Sequence, residues 1–70
     1  MRYYVDERPT EGVAIINGQI WNRVKARKGN SCAISRRPIQ PGDMVYRPQT
    51  NGDNRMHRIL AAVVERHPIA

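Results

Sequence analysis

Residues 13–26 read VAIINGQIWNRVKA, and the Asn17-Gly18 dipeptide at their centre constrains the chain more than any other feature. Both residues tolerate the positive φ of a two-residue type I′ turn, and β-prone runs flank them on either side. The spacing predicts a hairpin in one register: Ile16 faces Gln19, Ile15 faces Ile20, Ala14 faces Trp21 and Val13 faces Asn22. Side-chain alternation then separates two faces. Val13, Ile15, Ile20 and Val24 form the expected core face, and Ala14, Ile16, Trp21, Arg23, Lys25 and Arg27 the expected exposed one.

Seventy residues make a single domain, 1–70, with 1–12 and 67–70 as candidates for flexible ends. A chain of this size buries only about 60% of the surface its unfolded form exposes, which leaves little room for an enclosed active site. Cys32 is the only cysteine, so no internal disulfide can form, and a lone thiol fits a reducing cytoplasm. MRYYVDERPTEG lacks the apolar stretch of a leader, and no window approaches the roughly 18 apolar residues of a membrane span. A soluble, cytoplasmic, monomeric protein with no membrane partner is expected.

Twelve Lys and Arg against six Asp and Glu give a net charge of +6. Between Glu11 and Asp43 there is no acidic residue, while Arg23, Lys25, Arg27, Lys28, Arg36 and Arg37 all fall in that interval. A central positive field of this kind favours an anionic partner surface. On an exposed strand, Trp21, Arg23, Lys25 and Arg27 would share one side, an aromatic platform beside a row of cations, with Lys28, Arg36 and Arg37 extending it.

Further along, Ser31 to Ile34 reads as a short strand or the descending limb of a knuckle with Arg36 and Arg37 at its tip, and Pro41-Gly42-Asp43 as a turn. Met44-Val45-Tyr46 resumes as a strand ended by Pro48, and Gln49 to Asn54 is a polar loop whose Asp53 or Asn54 can cap a helix. From Arg55 the apolar residues Met56, Ile59, Leu60, Val63 and Val64 recur at helical spacing until Pro68, with a terminal strand as the competitor at the β-branched Val63-Val64. RYYV is a candidate strand, and Asp6 to Gly12, containing Pro9, a candidate loop. The expected fold class is α+β: a small hairpin-rich domain with one C-terminal helix.

Cys32-x-x-Ser35, Ile39-x-x-Gly42-Asp43-x-Val45-Tyr46 and His57-x-x-Leu60 together resemble a treble-clef zinc finger across about residues 25–64. A structural zinc site takes four Cys or His ligands. Serine is a poor ligand and leucine is none, so the resemblance implies a zinc-finger-like frame without metal, with Cys32 packed inside. No metal and no cofactor are expected. With its basic lead-in, the same pattern is similar to small phage-encoded proteins, and proteins of that kind act by remodelling host machinery.

Catalysis is not expected. Cys32 and His57 could pair as nucleophile and base only with an oxyanion site and a cleft, and the five glycines are spaced as turn residues rather than as a phosphate loop. The resulting expectation is a non-enzymatic, phage-type regulator in the host cytoplasm. It would bind RNA polymerase or another nucleoprotein machine through Trp21, Arg23, Lys25, Arg27, Lys28, Arg36 and Arg37, as inhibitor or antiterminator. The alternative is a module that binds DNA or RNA directly through the Trp-containing strand face.

Overall fold

The computed structural model describes residues 3–50 and 52–66. In chain order these form β1 (Val5–Thr10), β2 (Val13–Ile16), β3 (Gln19–Lys25), β4 (Asn30–Ser31), β5 (Pro38–Ile39), β6 (Met44–Pro48), β7 (Ile59–Leu60) and α1 (Ala61–Arg66). Five strands make one antiparallel sheet in the order β1-β2-β3-β6-β7, and β4 pairs with β5 in a separate two-stranded sheet. The fold is therefore α+β and mostly antiparallel sheet, with one short C-terminal helix. None of the described helices is long and apolar enough to cross a membrane.

Asn17 and Gly18 adopt φ of 51° and 72°, and the β2–β3 register is the one their spacing predicts. A second positive-φ pair, Glu11 at 52° and Gly12 at 79°, joins β1 to β2. Most of the segment expected as a loop, Asp6 to Gly12, is consequently strand. Pro9 is tolerated because β1 is an edge strand, where a missing N–H costs nothing on the open side, and the pairing carries register shifts on both sides of Glu7. The start of β1 is tied to the next turn: Tyr4 N–H donates to Asn17 Oδ1, Asn17 N–H to the Tyr4 carbonyl, and Gly18 N–H to Asp6 Oδ2 at 2.7 Å.

The hairpin has the expected register but the opposite face inward. Trp21 is 0% exposed and lies in the core with Val5, Ala14, Ile16, Tyr46, Ile59 and Val64. Val13 and Ile20, expected inside, are 39% and 45% exposed. Area explains the inversion. An aromatic ring of this size removes about 150–250 Å² from water, and Ala14 and Ile16 turn inward with it, which together outweigh leaving Val13 and Ile20 exposed. Tyr3 meets the indole edge-on at 5.4 Å between ring centroids. The cations on Trp21's side of β3 cause no conflict, because they lie towards the strand's far end: Arg23 reaches Glu65 on α1, and Lys25 stays exposed.

The C-terminal apolar pattern also divides differently from expectation. Ile59 and Leu60 pair with Tyr46 and Val45 as β7, and only Ala61–Arg66 is helical. Asn54, a candidate helix cap, is instead buried and donates its amide to Gln19 Oε1 at 2.8 Å, while its carbonyl accepts the N–H of His57. The proposed stop at Pro68 lies outside the described residues.

The Pro41-Gly42-Asp43 turn forms as expected. Asp43 N–H donates to the Gln40 carbonyl, Gln40 N–H to Asp43 Oδ2, and Gly42 sits at φ 97°, the third-position angle of a type II turn.

Burial gives a direct test in urea. Trp21→Ala and Ile16→Ala are each expected to cost about 2–5 kcal/mol of unfolding free energy, and Ile20→Ala less than about 1 kcal/mol. Equal losses at positions 16 and 20 would contradict the assignment of faces.

A basic groove as the candidate functional site

The sheet, β5 and the loops beside them enclose an open groove of about 900 Å³. Val24, Ala26 and Ile39 supply apolar lining, and Lys25, Arg27, Lys28, Arg47 and Arg58 supply five cations. Among the described residues no carboxylate lines it. Asn30 and Met56 complete the walls, Asn30 donating its amide to the Met56 carbonyl at 3.3 Å.

Local structure explains why these cations converge. β3 ends at Lys25, and the next residue is clamped: Ala26 N–H donates to the Asp43 carbonyl, and its own carbonyl accepts Gly42 N–H. Arg27 and Lys28 therefore leave the sheet beside the β5–β6 turn. Arg47 comes from β6, opposite Asn22 of β3. The β6–β7 register pairs Val45 with Leu60 and Tyr46 with Ile59, and Arg58, which precedes β7 and bridges to Cys32, lines the same groove as Arg47. Burial, and then the Arg47 charge, hold the Arg58 guanidinium below its ordinary pKa. Arg58 is fixed from behind, its Nη1 donating to the carbonyls of Arg55 at 2.9 Å and His57 at 2.8 Å.

The seven residues expected to form one contact surface are distributed over several places. Lys25, Arg27 and Lys28 line the groove. Trp21 does not reach a surface: it is fully buried, so the expected aromatic platform beside the cations is absent. Arg23 turns to the helix and donates from Nε to Glu65 Oε2 at 2.9 Å, and the same oxygen accepts the Tyr46 hydroxyl at 3.1 Å. Arg37 lines a second, smaller groove together with Arg23, Asp43 and Glu65, where the charges are mixed. Arg36 is exposed at φ 62°, its N–H bonded to the Cys32 carbonyl. Arg47 and Arg58 complete the groove and were not among the expected residues. In sequence they belong to a flank of mixed charge, and only the pairings of β6 with β3 and β7 bring them to this place.

Cys32 is packed inside, as expected, at 1% exposure. Its Sγ accepts the backbone N–H of Ser35 and of Leu60, each at 3.4 Å. Burial pushes the thiol pKa up, but the hydrogen bonds from the Ser35 side chain and from backbone N–H groups outweigh it, and the net displacement is downward. His57 is engaged elsewhere, its Nδ1 2.6 Å from the Tyr3 hydroxyl. Among the described residues no three His, Cys, Asp or Glu side chains cluster in a way that could hold a metal ion. Family models, curated proteins and solved structures were compared with the chain, and none matches.

The helix contact carries a pH dependence. Burial, reinforced by the Glu65 hydrogen bond and charge, raises the Tyr46 pKa from 10.0 to about 12. A folded pKa above the unfolded one gives stability that is complete below pH about 10 and is lost as pH rises towards 12. Alkaline urea titrations are expected to show this fall in the parent protein and a shallower one in Tyr46→Phe. Identical alkaline profiles would remove Tyr46 from the account.

Proposed function

We propose that this chain is a non-enzymatic binding protein that docks on a large anionic assembly through the basic groove. In the more specific reading it is a phage-type regulator of the host transcription machinery, acting in the host cytoplasm as a monomer on RNA polymerase. The observation that carries the proposal is the groove itself: five cations around an apolar floor with no carboxylate among its lining residues. Such a surface raises the encounter rate with an acidic partner and rejects basic ones.

A second feature supports a macromolecular partner. Register places Val13, Ile15, Ile20, Asn22, Val24 and Arg47 on one side of the sheet, so the exposed Val13 and Ile20 share a face with the groove residues Val24 and Arg47. Apolar anchors beside a cationic rim suit a protein surface that is acidic at its edge. The burial of Trp21 takes the stacking platform away from the rival reading, in which the strand face binds nucleic acid alone. The buried Cys32, whose Sγ accepts the N–H groups of Ser35 and Leu60, supports the reading of a zinc-finger-like frame with the cysteine packed inside.

Affinity capture from nuclease-treated bacterial lysate tests the reading. Polymerase subunits are expected with the parent protein, and the triple change of Lys25, Arg27 and Arg47 to Ala is expected to weaken capture at least about tenfold while leaving the fold intact. Arg23→Ala is expected to bind as the parent does and to lose only about 0.2–1 kcal/mol of stability, since its exposed ion pair contributes little more. Capture that survives the triple change, or that vanishes with Arg23→Ala, would overturn the assignment to the groove.

A further inference from the structure

Three features of the groove floor point the same way. Arg47 and Arg58 both line it, and two like charges brought to one groove repel unless an anion lies between them. Arg58 is half-buried and oriented in advance: both of its hydrogen bonds use Nη1, and among the described residues Nε and Nη2 make none. That leaves the side edge of the guanidinium, the two-donor fork that matches a pair of oxygens on one acid. The rim then adds Lys25, Arg27 and Lys28, more positive charge than a single carboxylate would balance.

We propose that the floor of the groove is a phosphate-binding site, in which Arg58 takes the two non-bridging oxygens of one phosphate group, Arg47 shares one of them, and the rim cations hold the phosphates on either side. The site deepens the functional reading, which rests on the same groove, by naming phosphate as the anion that the groove floor takes on the partner assembly. A tetrahedral phosphate offers acceptor oxygens in more than one direction, which two guanidinium groups can share, whereas a carboxylate presents its two oxygens in one plane. The lower-than-ordinary pKa of Arg58, caused by burial and by Arg47, agrees with a cation pair awaiting an anion.

The test is nitrogen-15 NMR of the full chain, following the arginine Nε–H signals during titration with inorganic phosphate, a nucleoside monophosphate, a twelve-nucleotide single-stranded oligonucleotide and polyglutamate, with sodium chloride matched throughout. The Arg58 and Arg47 signals are expected to move and saturate with the three phosphate probes, while Arg36 and Arg37 follow ionic strength alone. Tighter binding of the oligonucleotide would identify a phosphodiester backbone as the source, and equal binding per phosphate would identify a free phosphate group. Arg47→Gln is expected to weaken oligonucleotide binding about tenfold and to reduce the slope of log affinity against log salt by about 0.7. Arg58→Gln should do the same, and Arg47→Gln keeps the test decisive if the loss of Arg58's carbonyl bonds disturbs the fold. Polyglutamate binding as tightly as the oligonucleotide, or shifts spread evenly over all arginines, would overturn the proposal. Failure here alongside capture of polymerase would remove the phosphate site and keep the functional reading, and the reverse result would remove that reading and keep the site.

Discussion

Burial of Trp21 sets the rest of the structure. The indole sits on the sheet face that carries most of the core, with Tyr3 edge-on against it and Val5, Ala14, Ile16, Tyr46 and Ile59 in the same cluster. Its Nε1 makes no hydrogen bond among the described residues, so the ring is held by its area and shape rather than by its donor. In a chain this small one aromatic ring is a large share of the interior, and the elements around it are placed to cover it. The Tyr3 hydroxyl at His57 Nδ1 links that cluster to the loop before β7, and Glu65 holds α1 to the sheet through Tyr46 and Arg23.

Covering one face with a helix of six residues leaves much of the other face open. Val45 is buried there, but Val13 and Ile20 are exposed, and β3 carries its cationic end towards Arg27 and Lys28. The groove follows from this arrangement, because the residues that fill it come from the ends of β3 and β6 and from the approach to β7 rather than from any one segment. Its charge is unbalanced because the nearby acids are used elsewhere. Asp43 closes the type II turn, and Glu65 is occupied at the helix.

Local signals in the sequence were legible where backbone conformation decides the outcome. Asn17-Gly18 determined a register that the structure reproduces pair by pair, and Pro41-Gly42-Asp43 marked a turn correctly. Glu11-Gly12 carries the same kind of turn, but Pro9 made its leading strand read as loop. Which face of the hairpin is buried was not legible from alternation, since both sides hold aliphatic residues and the choice depends on what packs above them. The helical spacing from Met56 onward was broken by the pairing of Ile59 with Tyr46, a contact between distant residues that no local pattern encodes. For the same reason half of the groove was visible in advance. Lys25, Arg27 and Lys28 are consecutive enough to stand out, whereas Arg47 and Arg58 join them only through strand order.

The central proposal is that the basic groove, and not the Trp21 face or the Arg36-Arg37 tip, is the surface this protein presents to a partner. Hydrogen exchange of the chain, free and captured on the polymerase assembly, tests it most directly. The account predicts new protection at residues 25–28, 47 and 56–58, with α1 and the Cys32 knuckle unchanged. Protection confined to α1 and residues 33–37, with the groove exchanging as it does in the free protein, would contradict it.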